Sequence, residues 1–179
     1  MRKKYWVPII MLILFSLESI IMNYVPSYFF NNHWLVIPRF LFIFLLFITI
    51  FYDKKLGVTY AFVFGLLMDI VFTEIYGIYL FVYPAVVYIM YWLVKNWITN
   101  LFTMFFYSAF GLIALEIVLF LLYYMINLSD ISFKYFAFHR LLPTMLMNMI
   151  FYVAICFPLK KYLSALKKLK EEEEGMFQS

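Results

Sequence analysis

The sequence predicts an all-α integral membrane protein, a bundle of six transmembrane helices. Three observations predict it. The 179-residue chain is 67% hydrophobic and only 13% charged, with a mean hydropathy of +0.93, whereas a soluble domain is near 45–50% apolar and about 25% charged. The apolar residues fall into six long stretches separated by short polar turns, and a span needs about 20 such residues. Lysine and arginine are distributed unevenly between alternate turns, as membrane topology requires.

The elements follow in order. The start, MRKKYWVPIIMLILF, has the basic and apolar regions of a signal peptide, but SLESIIMNYVPSYFF lacks a small-residue cleavage pattern. It is read as a retained first span, 5–22, with Glu18 inside. A loop holding Pro26, Asn31, Asn32, His33 and Trp34 leads to a second span, 37–52, entered by Pro38 and Arg39. The turn Asp53-Lys54-Lys55-Leu56 opens a third span, 57–73. Thr73 to Tyr76 form a tight turn before a fourth span, 78–94, kinked by Pro84. After Lys95-Asn96-Trp97, the fifth span, 98–126, holds Gly111 and Glu116. It is longer than a straight crossing needs, so it is tilted, bent or partly interfacial. Residues 127–140 form the longest loop, and the sixth span, 141–159, holds Pro143, Asn148 and Pro158. Residues 1–163 make the membrane domain. Residues 164–179 make a charged cytoplasmic tail whose basic part suits anionic headgroups and whose Glu171 to Glu174 run reads as a solvated, frayed end.

With six spans, Arg2, Lys3, Lys4, Lys54, Lys55, Lys95 and the tail lysines share one side. Only Arg39, Lys134 and Arg140 fall on the other. Both termini are therefore expected in the cytoplasm. Tyr5, Trp6, Trp34, Tyr52, Trp92 and Trp97 sit at predicted span ends, as an interfacial belt does. The net charge of +4 is explained by topology and calls for no nucleic-acid partner.

The third span carries the most information. Gly57, Ala61, Gly65 and Asp69 recur at steps of four, one stripe on a helix. Small residues on a stripe let a second helix approach closely, and an acid ending that stripe faces protein rather than lipid. Two readings stand: a packed interface whose acid has a structural partner, or an intramembrane ligand or proton site. At 1.5 Å per residue, Asp69, Glu18 and Glu116 lie about 18, 20 and 25 Å from the inner ends of their helices, in the outer half of a roughly 30 Å core. Arg39 and Arg140 open the inward-running helices at matching depth. A charge cluster is expected in which Arg39 or Arg140 faces Asp69, Glu18 or Glu116. The contrary reading leaves the acids scattered. Glu74 is expected near the outer edge, in water.

Enzyme chemistry has little support. No nucleophile stands near a base, and there is no Gly-rich phosphate loop and no metal-ligand spacing. His33 and His139 lack matching partners, and the single Cys156 is read as a packed helix residue. No catalytic residue, metal or cofactor is expected.

Gly65-Leu66-Leu67-Met68-Asp69, followed by Gly77-Ile78-Tyr79-Leu80, resembles the Gly-Leu-Leu-x-Asp … Gly pattern of the rod shape-determining protein MreD family. RFLFIFLLFITIFYDKKLGVTYAFVFGLLMD is similar to that family's second and third spans, with Arg39 at the outer start. Leu142-Pro143-Thr144-Met145-Leu146-Met147-Asn148 is similar to its final Pro-and-Asn helix. Ile70-Val71-Phe72-Thr73-Glu74 departs from the small residues usual after the Asp. The resemblance implies a non-enzymatic membrane component of the bacterial elongation machinery. It would work with the single-span protein MreC and be linked to the MreB filament and to the sidewall polymerase and transpeptidase. It also implies a fold similar to the six-helix substrate-binding subunits of energy-coupling-factor vitamin transporters. A transporter subunit of that kind is the alternative. It is disfavoured because 6–22 contains no Ala or Gly to dock a coupling protein. A small intramembrane enzyme acting on lipid-linked precursors would need its acids to converge on a wet cavity. The partner helix is expected on the Gly57 stripe, which Gly77 follows, or near Pro143 and Asn148. Membrane lipids surround the bundle, and a homodimer stays open.

Overall fold

The computed structural model describes residues 6–24, 34–73, 75–94, 100–128 and 130–176. The expectations for Arg2 to Lys4, Tyr5, His33, Glu74 and the 95–97 turn lie outside them. Among the described residues there are six longer helices: α1 (Trp6–Tyr24), α2 (Phe40–Phe51), α3 (Lys54–Phe72), α4 (Ile78–Val94), α5 (Leu101–Met125) and α7 (Leu142–Met176). A short α6 (Phe133–Phe136) runs through a π-helical turn, Ala137–Leu141, into α7. No strand occurs among the described residues. Helices α1, α3 and α5 and the continuous run from Phe133 are long and apolar enough to cross a bilayer, while α2 and α4 are shorter apolar helices.

The shortest of the six, α2, is the centre. Every residue from Phe40 to Thr49 is buried, as a helix apolar on all sides must be. Helices α1, α3, α4, α5 and α7 all pack on it. Rings lock it in place: Phe40 stacks on Phe151 at 4.0 Å, Phe42 meets Tyr83 edge-on, and Phe47 meets Tyr152. A helix wrapped by protein need not match the hydrocarbon thickness, which is why 12 residues suffice here.

The small stripe of α3 works inside this bundle. A Cβ on Gly57 would lie 2.0 Å from Thr49 Oγ1 on α2, and one on Gly65 would lie 2.5 Å from the Tyr79 carbonyl oxygen on α4. Ala61 between them is fully buried. The two glycines of the stripe expected to receive a partner helix thus pack inside the bundle, against α2 and α4.

Three boundaries differ from the expectation. Residues 34–39 are not helical, so the second helix starts at Phe40 and not at 37. Pro38 supplies no N–H, and side chains of α7 hold the flanking backbone, as described below. The loop expected over 127–140 becomes helical from Phe133, where Ser132 Oγ accepts from the Tyr135 N–H at 3.3 Å. Phe136 then stacks on Phe120 at 4.3 Å and ties the segment to α5. Finally, α7 does not end near 159 or fray at its acid run. It stays helical to Met176, with Leu163 and Leu166 buried.

That extension closes on the α2–α3 turn. Asp53 caps α3, its carboxylate accepting from the Leu56 N–H at 3.0 Å, and it also pairs with Lys170. Partial burial pushes the Asp53 carboxyl up, but the Lys170 ammonium and the Leu56 N–H outweigh it and hold the group below the ordinary carboxylate range. A depressed folded value means the clasp contributes above the ordinary aspartate pKa of 3.8 and is lost as the pH falls through the folded value. A spin label at Leu169 should therefore gain mobility only once the pH falls below 3.8 and through the depressed folded value. In Asp53→Asn the label should be mobile throughout. Equal mobility of the native chain at neutral and acid pH would refute the clasp.

Candidate functional site

A helix leaves its first N–H groups without partners. In a membrane such groups cannot turn to water, so non-helical backbone at depth must be satisfied by protein. Both short helices start inside the bundle, and the buried polar side chains serve those starts.

At the start of α2, Glu18 of α1 accepts from the Leu41 N–H at 2.7 Å. Asn148 of α7 accepts from the Arg39 N–H at 2.7 Å and donates to the Ile37 carbonyl at 2.9 Å. Thr144, one turn before it, accepts from the Ile37 N–H at 3.1 Å. All three side chains are fully buried. Pro143 is buried beside Thr144. The Pro-Thr-x-x-x-Asn run of α7 thus holds the non-helical segment before α2, supplying side-chain partners for the Ile37 and Arg39 backbone.

At the start of α4, Asp69 of α3 does the equivalent work with three bonds. Its carboxylate accepts from Gly77, Tyr79 and Leu80 N–H groups at 2.9, 2.8 and 2.8 Å. An anion at a helix N-terminus also suits the helix dipole. Gly65 lets α3 come close enough, and Gly77 turns the chain at φ +111°, a conformation glycine adopts without strain. Asp69, Gly65 and Gly77 are therefore parts of one joint between α3 and α4. Thr73, at the end of α3, has its hydroxyl 2.9 Å from both the Asp69 and the Ile75 carbonyl oxygens and donates its single hydrogen to one or the other.

The third acid has a different role. Glu116 of α5 is fully buried between two arginines. Arg39 Nε reaches its Oε1 at 2.8 Å, and Arg140 Nη2 reaches its Oε2 at 3.1 Å. The remaining Arg39 nitrogens donate to Tyr79 Oη at 3.0 Å and Tyr83 Oη at 3.4 Å. The guanidinium also lies 5.2 Å from the centre of the Tyr79 ring. Of the five expected charges, Arg39, Glu116 and Arg140 meet. Asp69 faces backbone rather than an arginine, and Glu18 meets the backbone of Leu41. Arg39 is thus tied to Glu116 and the α4 tyrosines by its side chain and to α7 by its N–H.

Tyr79, Tyr83 and Thr144 were not singled out from the sequence. A signal existed: Tyr79 and Tyr83, like Thr144 and Asn148, stand four apart and share a helix face. His139 stacks on Tyr135 at 4.2 Å, apart from the acids. Cys156 is buried and unpaired with another cysteine. Among the described residues no three His, Cys, Asp or Glu side chains are grouped to hold a metal ion. Chemically the arrangement is a fixed network that joins helices.

A family profile described as rod shape-determining protein MreD matches residues 3–166. The rod shape-determining protein MreD of Bacillus subtilis (strain 168) is 29% identical over 171 residues, which cover 96% of this chain and 99% of that protein. No solved structure matches.

Proposed function

The chain belongs to the rod shape-determining protein MreD family, and from that premise we propose that it is a non-enzymatic scaffold of the cell-elongation machinery. In this reading it binds the single-span protein MreC and helps organise peptidoglycan sidewall synthesis beside MreB and the polymerase and transpeptidase pair. It crosses the cytoplasmic membrane six times, with both termini inside, as the lysine distribution favours. Its six-helix bundle is similar in kind to the substrate-binding subunits of energy-coupling-factor transporters.

One observation carries the scaffold reading. Three of the buried polar groups that an enzyme or transporter could aim at a substrate are engaged with the bundle itself: Asp69 with α4, Asn148 with the segment before α2, and Glu116 with two arginines. What faces outward is broad apolar surface, including Phe81, Phe102 and Phe106. In a membrane such surface meets lipid or the helix of another protein.

Copurification from mild detergent tests it. The expected companion is a single-span protein with a coiled coil. Recovery with an ATPase and its coupling subunit would instead support a transporter role. Cysteines placed at Phe102 and Phe81 and at Phe157 of α7, crosslinked in cells, would locate the partner face. Crosslinking at none of the three would count against docking on these exposed faces.

A further inference from the structure

An apolar groove of about 280 Å³ opens between α1 and α7. Ile10 and Leu14 form one wall, Ile155, Pro158 and Tyr162 the other, and Phe44 of the central helix lies at its floor. We propose that this groove holds one acyl chain of an anionic phospholipid of the inner leaflet, whose headgroup rests against Lys161 and Lys168. The proposal builds on the scaffold reading only in taking both termini as cytoplasmic.

Size and chemistry select the occupant. A groove of about 280 Å³ lined almost wholly by apolar side chains accepts a length of one acyl chain. A helix is about 10–12 Å across and docks in membranes through small residues and polar contacts. These walls offer branched and ring side chains, and the Tyr162 hydroxyl is the one polar side-chain group among the six residues named.

Charge selects the headgroup. On α7, Lys161 follows Pro158 by three residues and Lys168 follows by ten, a stripe that runs from the Pro158 edge of the groove toward the inner surface. Both lysines are exposed. On the α1 side, exposed Trp6 stands one turn from Ile10, and tryptophan marks the headgroup level. The groove therefore runs from apolar floor to basic rim as the bilayer does from chain to phosphate, and basic residues at that level attract anionic lipid.

The test uses the full-length protein, delipidated in detergent and titrated with phosphatidylglycerol or phosphatidylcholine. Bound lipid is counted by native mass spectrometry, and thermal stability is followed in parallel. Phosphatidylglycerol should be retained and should stabilise more than phosphatidylcholine. Lys161→Gln should weaken phosphatidylglycerol binding about fivefold, the share of one lysine at an anionic surface, and leave phosphatidylcholine unchanged. Ile155→Trp, filling the groove, should reduce retention of both. If that variant fails to fold, a photo-crosslinking residue at Ile155 decides the matter in native membranes: an adduct of lipid mass is expected. Equal binding of the two lipids by the native chain, or a peptide adduct at Ile155, would overturn the proposal. Labelling that places residue 168 outside the cell would instead remove the orientation and with it the inner-leaflet assignment, while an intact wild-type preference for phosphatidylglycerol alongside loss of the MreC-type partner would sink only the scaffold reading.

Discussion

Asp69→Ala should cost the folded bundle about 3–5 kcal/mol and lower its level in the membrane. The estimate comes from the donors left behind. Each buried N–H that loses its partner costs about 1–3 kcal/mol, and Asp69 serves three. The Tyr79 bond is buried and the Gly77 and Leu80 bonds are partly buried; local backbone adjustment re-satisfies some of the freed groups, and the total stays below the simple sum. Asp69→Asn keeps one acceptor oxygen but turns an amide toward a donor. It should be milder, by about one hydrogen bond's net worth of 1 kcal/mol or more. Gly65→Val should resemble the alanine variant without touching any polar group, because its side chain would enter the Tyr79 carbonyl, 2.5 Å from the Cβ. Thermal unfolding in detergent reads all three. If Asp69→Ala unfolded like the native chain, the α3–α4 joint would not depend on this carboxylate, and its role would have to be sought in a ligand.

The same joint shows how far a sequence of this kind can be read. Gly57, Ala61, Gly65 and Asp69 announce a close helix contact through spacing alone, and the acid's inward orientation follows from the cost of charge in lipid. What spacing does not say is which surface fills the stripe. That depends on α4 returning directly over α3, a tertiary fact, and so the stripe looks open to a partner when it is filled by Thr49 and Tyr79. Depth arithmetic likewise brings Arg39, Glu116 and Arg140 to one level. It cannot tell that Glu18 and Asp69 serve backbone N–H groups, because the non-helical entry to α2 and the α4 start are set by packing. The start of α2 was misplaced for the same reason. An apolar residue such as Ile37 fits a helix or a buried extended chain equally well, and only the Thr144 and Asn148 bonds decide between them. The early helical start at Phe133 was hidden by Lys134, His139 and Arg140, which make the stretch look like a polar loop, while Phe133 and Phe136 do the packing.

Arg39→Met should be as damaging as the loss of Asp69, and for a different reason. Removing one partner of a buried ion pair costs about 3–5 kcal/mol because the other charge is left behind. Here the stranded group is Glu116, which keeps Arg140 at 3.1 Å but loses its shorter bond to Arg39 at 2.8 Å. Tyr79 and Tyr83 lose a donor as well. The pairing supplies its own control. Arg39→Met combined with Glu116→Leu removes both charges, and buried pairs replaced by apolar residues are often neutral or better. The double variant should then recover much of the stability lost in the single one, even though Arg140, partly exposed at 18%, loses its carboxylate and must turn toward the surface. Arg39→Lys should not rescue, because an ammonium cannot reproduce a fork that meets Glu116 and two tyrosines together. A double variant as unstable as the sum of the singles would mean that Arg39 and Glu116 act independently. The network would then be a set of separate contacts and no longer the tie joining α2 to α4 and α5.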